Sequence, residues 1–296
     1  MKKVFTVLWL ITFCAFTGMN AKAFAQEPSP YAPSTVKAFA DSLYGQGFLT
    51  QAEGEYKRYL YSFDFNSQLE ASQILEFQST LNSLCGIYKS QQNKTGVQWL
   101  RNNFYGAADN SIKQRMNLLQ GKYIFMERNA AAFESFCQPL ELTAFTADFS
   151  SLIKASGLVL NKNIAELSEL CKQTVGEQGE ASPFFALGEL AASYKLKKPG
   201  VALLLSTLIP GSGKWYTGSF GAFTSSFLTI GSFVAGTVVT GIQTNWKSWQ
   251  PYVFGACGLV LYIADLYGSY QSAKRYNDAL YRHLCEETEK IYETLY

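Results

Sequence analysis

Between Lys214 and Lys247 the chain runs 32 residues without a charge. Within that run Ser219 to Ile242 is mostly apolar, long enough as a helix to cross about 30 Å of hydrocarbon. A second uncharged run, Ser248 to Ala264, continues through Asp265 to about Tyr270 and is also long enough. Its Pro251 falls near the start, where a helix tolerates proline. Trp215, Tyr216, Trp246, Trp249, Tyr252, Tyr267 and Tyr270 gather at the ends of the two runs, as an interfacial aromatic belt requires. Gly231 and Ala235 lie four apart and predict a close approach of two helices. These features predict a transmembrane helical hairpin, with residues 199–275 as the membrane domain and a lipid bilayer as its surroundings.

Ahead of the hairpin, Val201 to Ile209 is apolar, and Pro210-Gly211-Ser212-Gly213-Lys214-Trp215-Tyr216-Thr217-Gly218 follows. Pro210 and Gly211 stop a helix, and Gly213 and Gly218 permit a tight return. The loop is not a phosphate-binding loop: that pattern needs Gly at 208 and Ser or Thr at 215, and the chain has Leu208 and Trp215. The P-G-x-G-x-x-Y-x-G pattern, carried by Pro210, Gly211, Gly213, Tyr216 and Gly218, resembles bacterial membrane-hairpin domains of the TM2-like and DUF5683-like kind. The resemblance covers about residues 183–277 and includes the charged exit Ala273 to Asn277. It implies membrane residence and no established chemistry.

Asp265 is the one acid within the second span. An intramembrane carboxylate is a functional candidate. The bland reading, a carboxylate near the span's end that reaches headgroups or Lys274, is the favoured one, and Lys214 reads as an interfacial anchor. Pro199 to Gly213 is only 15 uncharged residues, so it is re-entrant, interfacial or a short span. Two spans would leave Lys195, Lys197, Lys198, Lys274 and Arg275 outside, against the positive-inside tendency. A third membrane segment would place Lys274 and Arg275 inside, and the reading leans that way.

At the other end, Met1-Lys2-Lys3 precedes the apolar stretch Val4 to Phe16, and Ala23-Phe24-Ala25 supplies small residues for cleavage before Gln26. Residues 1–25 therefore read as a secretory signal peptide, with an uncleaved anchor as the alternative. Residues 26–33 are Pro-rich and read as a linker. The chain has 25 Lys and Arg against 23 Asp and Glu. Without Lys2, Lys3 and Lys22 the balance is 22 against 23, so no basic excess points to nucleic acid. The expected location is a bacterial inner membrane with the N-terminal domain in the periplasm.

Residues 34–198 read as helical, because prolines are sparse and β-branched alternation is scarce. Ser34-Thr35 is placed to cap a first helix that runs toward Gly47. Ala52, Tyr56, Tyr59, Leu60 and Phe63 form an apolar stripe on a second. The stretch with Phe39, Ala40, Leu43, Gly47, Ala52 and Tyr56 resembles a tetratricopeptide repeat, and Tyr123, Ala132 and Phe136 echo its offsets. Tyr59 departs from the family pattern, which has a small residue there. The resemblance implies stacked helical neighbours and a protein partner. Further helices are expected at 67–90, 94–106, 143–156 and 161–174. The frequent aromatics read chiefly as core, and Lys57-Arg58 as solvated. The fold class is all-α.

Residues 276–296 predict an amphipathic helix, with Leu280, Leu284, Ile291 and Leu295 on one face and Glu286, Glu289 and Glu293 on the other. It would dock on a partner or fold back on its own domain. The single histidine, His283, lies on it and reads as solvated or packed. One histidine argues against most triads and zinc sites. Cys85, Cys137, Cys171 and Cys285 are either exported disulfides of open connectivity or buried thiols. No nucleophile–base pair, cofactor loop or metal cluster stands out. The chain reads as a non-enzymatic envelope adaptor without a cofactor. The alternative is a transporter subunit or homo-oligomer assembled through the glycine-rich spans.

Overall fold

The chain has the composition of helices that must hide apolar stripes, and that is what it forms. A computed structural model describes residues 29–63 and 70–296. The expected signal peptide, most of the linker, and residues 64–69 lie outside the described residues. Thirteen α-helices and no strand occur among the described residues, so the fold is all-α. They divide into two compact units, one to Leu119 and one from Gln120.

The first unit opens with α1 (Pro33–Gly45) and α2 (Leu49–Leu60). Pro33 at the first helical turn starts α1, and no side chain of Ser34 or Thr35 caps it. Gly47, at φ +81°, makes the reversal, and the Phe48 N–H closes it on the Leu43 carbonyl at 2.9 Å. Ala40, Ala52 and Tyr56 are buried, and Leu43 is half-buried. α3 (Ala71–Ser90) and α4 (Lys94–Phe104) follow, and α5 (Asn110–Met126) begins in this unit and ends in the next.

Three buried phenols fasten these helices. Tyr56 donates to Asp41 at 2.7 Å, Tyr59 to Glu76 at 2.6 Å and Tyr88 to Glu53 at 3.2 Å. Each ring fills the core and its hydroxyl finds a carboxylate, as a buried polar tip must. Lys57 is not simply solvated: it pairs with Glu53 at 2.6 Å and lies 4.6 Å over the Trp99 ring.

The second unit continues with α6 (Ala130–Cys137), α7 (Ala147–Leu160), α8 (Ile164–Val175) and α9 (Phe185–Ala192). Asn129 and Thr146 cap α6 and α7 through their side-chain oxygens. Then come α10 (Pro199–Leu208), α11 (Ser212–Tyr216), α12 (Phe220–Gln243) and α13 (Gln250–Leu295).

The tail at 276–296 is not a separate helix. It is the second half of α13, which runs 46 residues, about 69 Å, without a break. The last glycine is Gly268 and no proline follows Pro251, so nothing interrupts the backbone bonding. Leu284, Ile291 and Tyr292 are buried here. The tail thus packs on its own unit as the unbroken continuation of α13. The Tyr292 hydroxyl meets Ser156 Oγ at 3.0 Å, and its ring lies 6.0 Å from Phe125. Glu289 pairs with Arg128 at 2.6 Å, and Glu293 with Lys122.

In α12 only Ile230 and Gly241 are buried out of 24 residues. Its length, about 36 Å, and its composition suffice to cross a membrane, and the first part of α13 meets the same test. Gly231 and Ala235 do not make the helix contact expected of them. Both are exposed, and a Cβ on Gly231 would meet nothing within 4 Å. The approach is made one face round, by Gly236 against Phe254, Gly255 against Thr237 and Gly258 against Phe233. A period of 3.6 leaves several small-residue stripes on such a helix, and spacing alone does not choose among them.

Candidate functional site, a lysine–aspartate pair beneath a glycine turn

α10 is ten residues, about 15 Å, half of what a crossing needs. The expected third span is therefore absent, and α10 and α11 form a short hairpin against α13. Ile209 is extended and Pro210 follows it. Gly211 takes φ +82°, and a Cβ there would stand 2.9 Å from the Phe223 carbonyl. Left-handed backbone and lack of room both require glycine. Gly218, at φ +85°, turns the chain again into α12.

Gly213 has a role the sequence reading did not give it. It is not a turn residue but the contact point of α11. A Cβ would fall 2.1 Å from the Ala202 carbonyl oxygen and 2.7 Å from Ser269 Cβ. That approach lets the Gly213 N–H reach Ser206 Oγ at 2.9 Å, and Ser206 in turn donates to Ser269 at 2.7 Å. Thr217 and Ser272 share a hydrogen bond of 2.6 Å. Tyr216 accepts from the Lys198 N–H at 3.4 Å.

Asp265 lies at the tip of this short hairpin, 4 % exposed. One carboxylate oxygen accepts from the Gly211 N–H at 2.6 Å and the other from Lys214 Nζ at 2.6 Å. Lys214 also donates to Ser226 Oγ at 2.6 Å. Two sequence expectations are corrected here. Asp265 does not reach Lys274, which lies 4.7 Å over the Tyr270 ring. Lys214 points inward to Asp265 rather than anchoring at an interface. Ser226 sits six residues, about 9 Å, in from the Phe220 end of α12, so the pair is set below the end of the apolar helix. A lone charge there is costly, and a hydrogen-bonded pair of opposite charges is the form in which it is tolerated.

Beside the pair is a pocket of about 240 Å³, lined by Lys214, Ser225, Ser226, Thr229, Ile230, Leu261, Ala264 and Asp265. The sequence reading named Asp265 and the motif glycines but missed Ser206, Ser226 and Ser269. Their signal was hydroxyls recurring within otherwise apolar helices, where each needs a partner.

All five described cysteines are free thiols, and no disulfide links them. Burial pushes the Cys85 thiol up to about 12, with Arg115 opposing, and Cys171 up to about 11. Both are protonated at neutral pH, which makes them poor nucleophiles. His283 is exposed and 3.2 Å from Glu286. Comparison with protein-family models, with curated proteins and with solved structures found no match.

Proposed function

We propose that the chain is a non-enzymatic, membrane-anchored envelope protein, held at a bacterial inner membrane by the α12–α13 hairpin and exposing its helical units to the periplasm as a scaffold for a protein partner. One observation carries the anchoring. Leu228, Val239 and Ile242 on α12, Val260 and Ile263 on α13, and Leu204 and Leu208 on α10 are all more than half exposed, with nothing else among the described residues to cover them. Such a belt is stable only against lipid or another apolar surface. The adaptor role rests on the sequence resemblance of the α1–Gly47–α2 stretch to a tetratricopeptide repeat, in which Ala40 and Ala52 are buried.

Carbonate extraction of cell membranes tests the anchor, and added protease outside spheroplasts tests the orientation. Crosslinking with mass spectrometry then reads the partner. The reading stands if the protein stays with the membrane, is digested from the periplasmic side and carries a different envelope protein in fixed ratio. Release into the soluble fraction as a monomer would overturn it.

The Lys214–Asp265 pair and the pocket beside it favour a second reading, a component that moves protons or ions, alone or as a homo-oligomer. Reconstituted vesicles with an internal pH dye decide this. Flux that is lost in Asp265→Asn at equal protein content supports it, and no flux from wild type counts against it.

A further inference from the structure

Five cations lie on two segments at the open end of the hairpin. Lys195, Lys197 and Lys198 precede α10, and Lys274 and Arg275 lie on α13. The fold pins the two segments together. The Asn277 side chain accepts from the Lys197 N–H at 2.9 Å and donates to the Lys197 carbonyl at 2.8 Å. The Lys197 ammonium is 4.6 Å from the Tyr216 ring and 5.8 Å from the Tyr276 ring. Lys195, Lys198, Lys274 and Arg275 are exposed. No carboxylate stands within ion-pair distance of any of the five among the described residues. Asp278 is the one acid in the two segments, and it is exposed beside Asn277.

The placement of this cluster is set by α10. Because α10 turns back instead of crossing, both cationic segments stand at the same end, where the exposed leucines of α10 stop. The Tyr216 hydroxyl oxygen accepts from the Lys198 backbone N–H, and no group among the described residues accepts a hydrogen bond from that hydroxyl. Unpaired cations, a phenol proton and interfacial tyrosines at the rim of an apolar belt match one chemistry, a negatively charged phosphodiester at the depth of a headgroup.

We infer that this collar binds the headgroups of anionic phospholipids. The inference rests on the membrane-anchor reading. It also gives the cations that oppose the positive-inside tendency a physical reason to be there: they hold the open end against the anionic lipid of the leaflet they face.

The test is selective retention of lipid. The full chain is purified in micelles containing equal phosphatidylglycerol and phosphatidylcholine, and the lipid that stays bound is quantified by native mass spectrometry. Wild type is expected to retain the anionic lipid in excess by about an order of magnitude. K195Q/K198Q/K274Q/R275Q is expected to fall to the micelle ratio, and K195R/K198R/K274R to keep the excess, which separates charge from misfolding. Retention at the micelle ratio by wild type, or an excess that survives the glutamine substitutions, would overturn the proposal. So would saturation of the site by inorganic phosphate alone at millimolar concentration. Carbonate extraction of wild type runs alongside. Release there removes the underlying anchor reading, whereas resistance without lipid preference removes this inference alone.

Discussion

Lys214 Nζ stands 2.6 Å from Asp265 Oδ1, across 51 residues of sequence, and the other carboxylate oxygen of Asp265 is held by the Gly211 N–H at the turn of the same motif. The motif supplies both the cation and the backbone donor that keep this acid below the end of an apolar helix. Removing one partner leaves an uncompensated buried charge, and the expected loss is about 3–5 kcal/mol for Lys214→Met. Lys214→Met/Asp265→Leu is expected to lose less than the two single changes added together. Unfolding in micelles measures this by a double-mutant cycle, and additive single effects would refute the coupling.

Gly213 carries the packing of α11. Gly213→Ala is expected to cost more than about 3 kcal/mol, because its Cβ meets backbone that cannot give way. Gly231→Ala is expected to be neutral within about 0.5 kcal/mol, since nothing lies within 4 Å. Gly218→Ala should fall between them at about 1 kcal/mol, from its positive φ alone. Thermal melts of the three variants rank them, and a stable Gly213→Ala protein would show that α10 and α11 are not held as described.

Tyr56, Tyr59 and Tyr88 make the first unit sensitive to alkali. Burial raises all three phenols above the ordinary value of about 10, and the facing carboxylates add to it. The folded chain then holds its phenol protons to a higher pH than the unfolded chain does. Their contribution is complete below pH about 10 and is lost as pH rises beyond it. Circular-dichroism melts at pH 8 and pH 11 should show a larger alkaline drop for wild type than for Tyr56→Phe/Tyr59→Phe/Tyr88→Phe. Equal drops would mean that other groups set the alkaline limit.

The second half of α13 is held mainly by its buried side chains. Tyr292→Ala is expected to cost about 3–5 kcal/mol by leaving a cavity, and Tyr292→Phe about 1 kcal/mol by removing the bond to Ser156. Glu293→Gln, at a half-exposed ion pair, should cost less than about 1 kcal/mol. Denaturant midpoints check the order, and a Glu293 effect larger than that of Tyr292→Ala would show that the ion pairs dominate.

The all-α class, the approximate positions of α1 to α4, α7 and α8, and the two long apolar helices were legible in the chain, because period, length and the absence of charge are local properties; α5 and α6 were marked only by the echo at Tyr123, Ala132 and Phe136. Ala52, Tyr56, Tyr59 and Leu60 repeat at helical spacing and are buried on one face of α2. Gly211 and Gly218 were recognisable as turn residues for the same reason: the backbone conformation they allow is intrinsic to glycine. The tertiary structure alone decided what each residue meets. It moved the helix contact from Gly231 and Ala235 to Gly236, Gly255 and Gly258. It turned α10 back instead of through, joined the tail to α13, and paired Asp265 with Lys214 rather than Lys274. Each depends on which of several equivalent faces packs and on how far the chain returns in space, and a one-dimensional pattern carries no term for either.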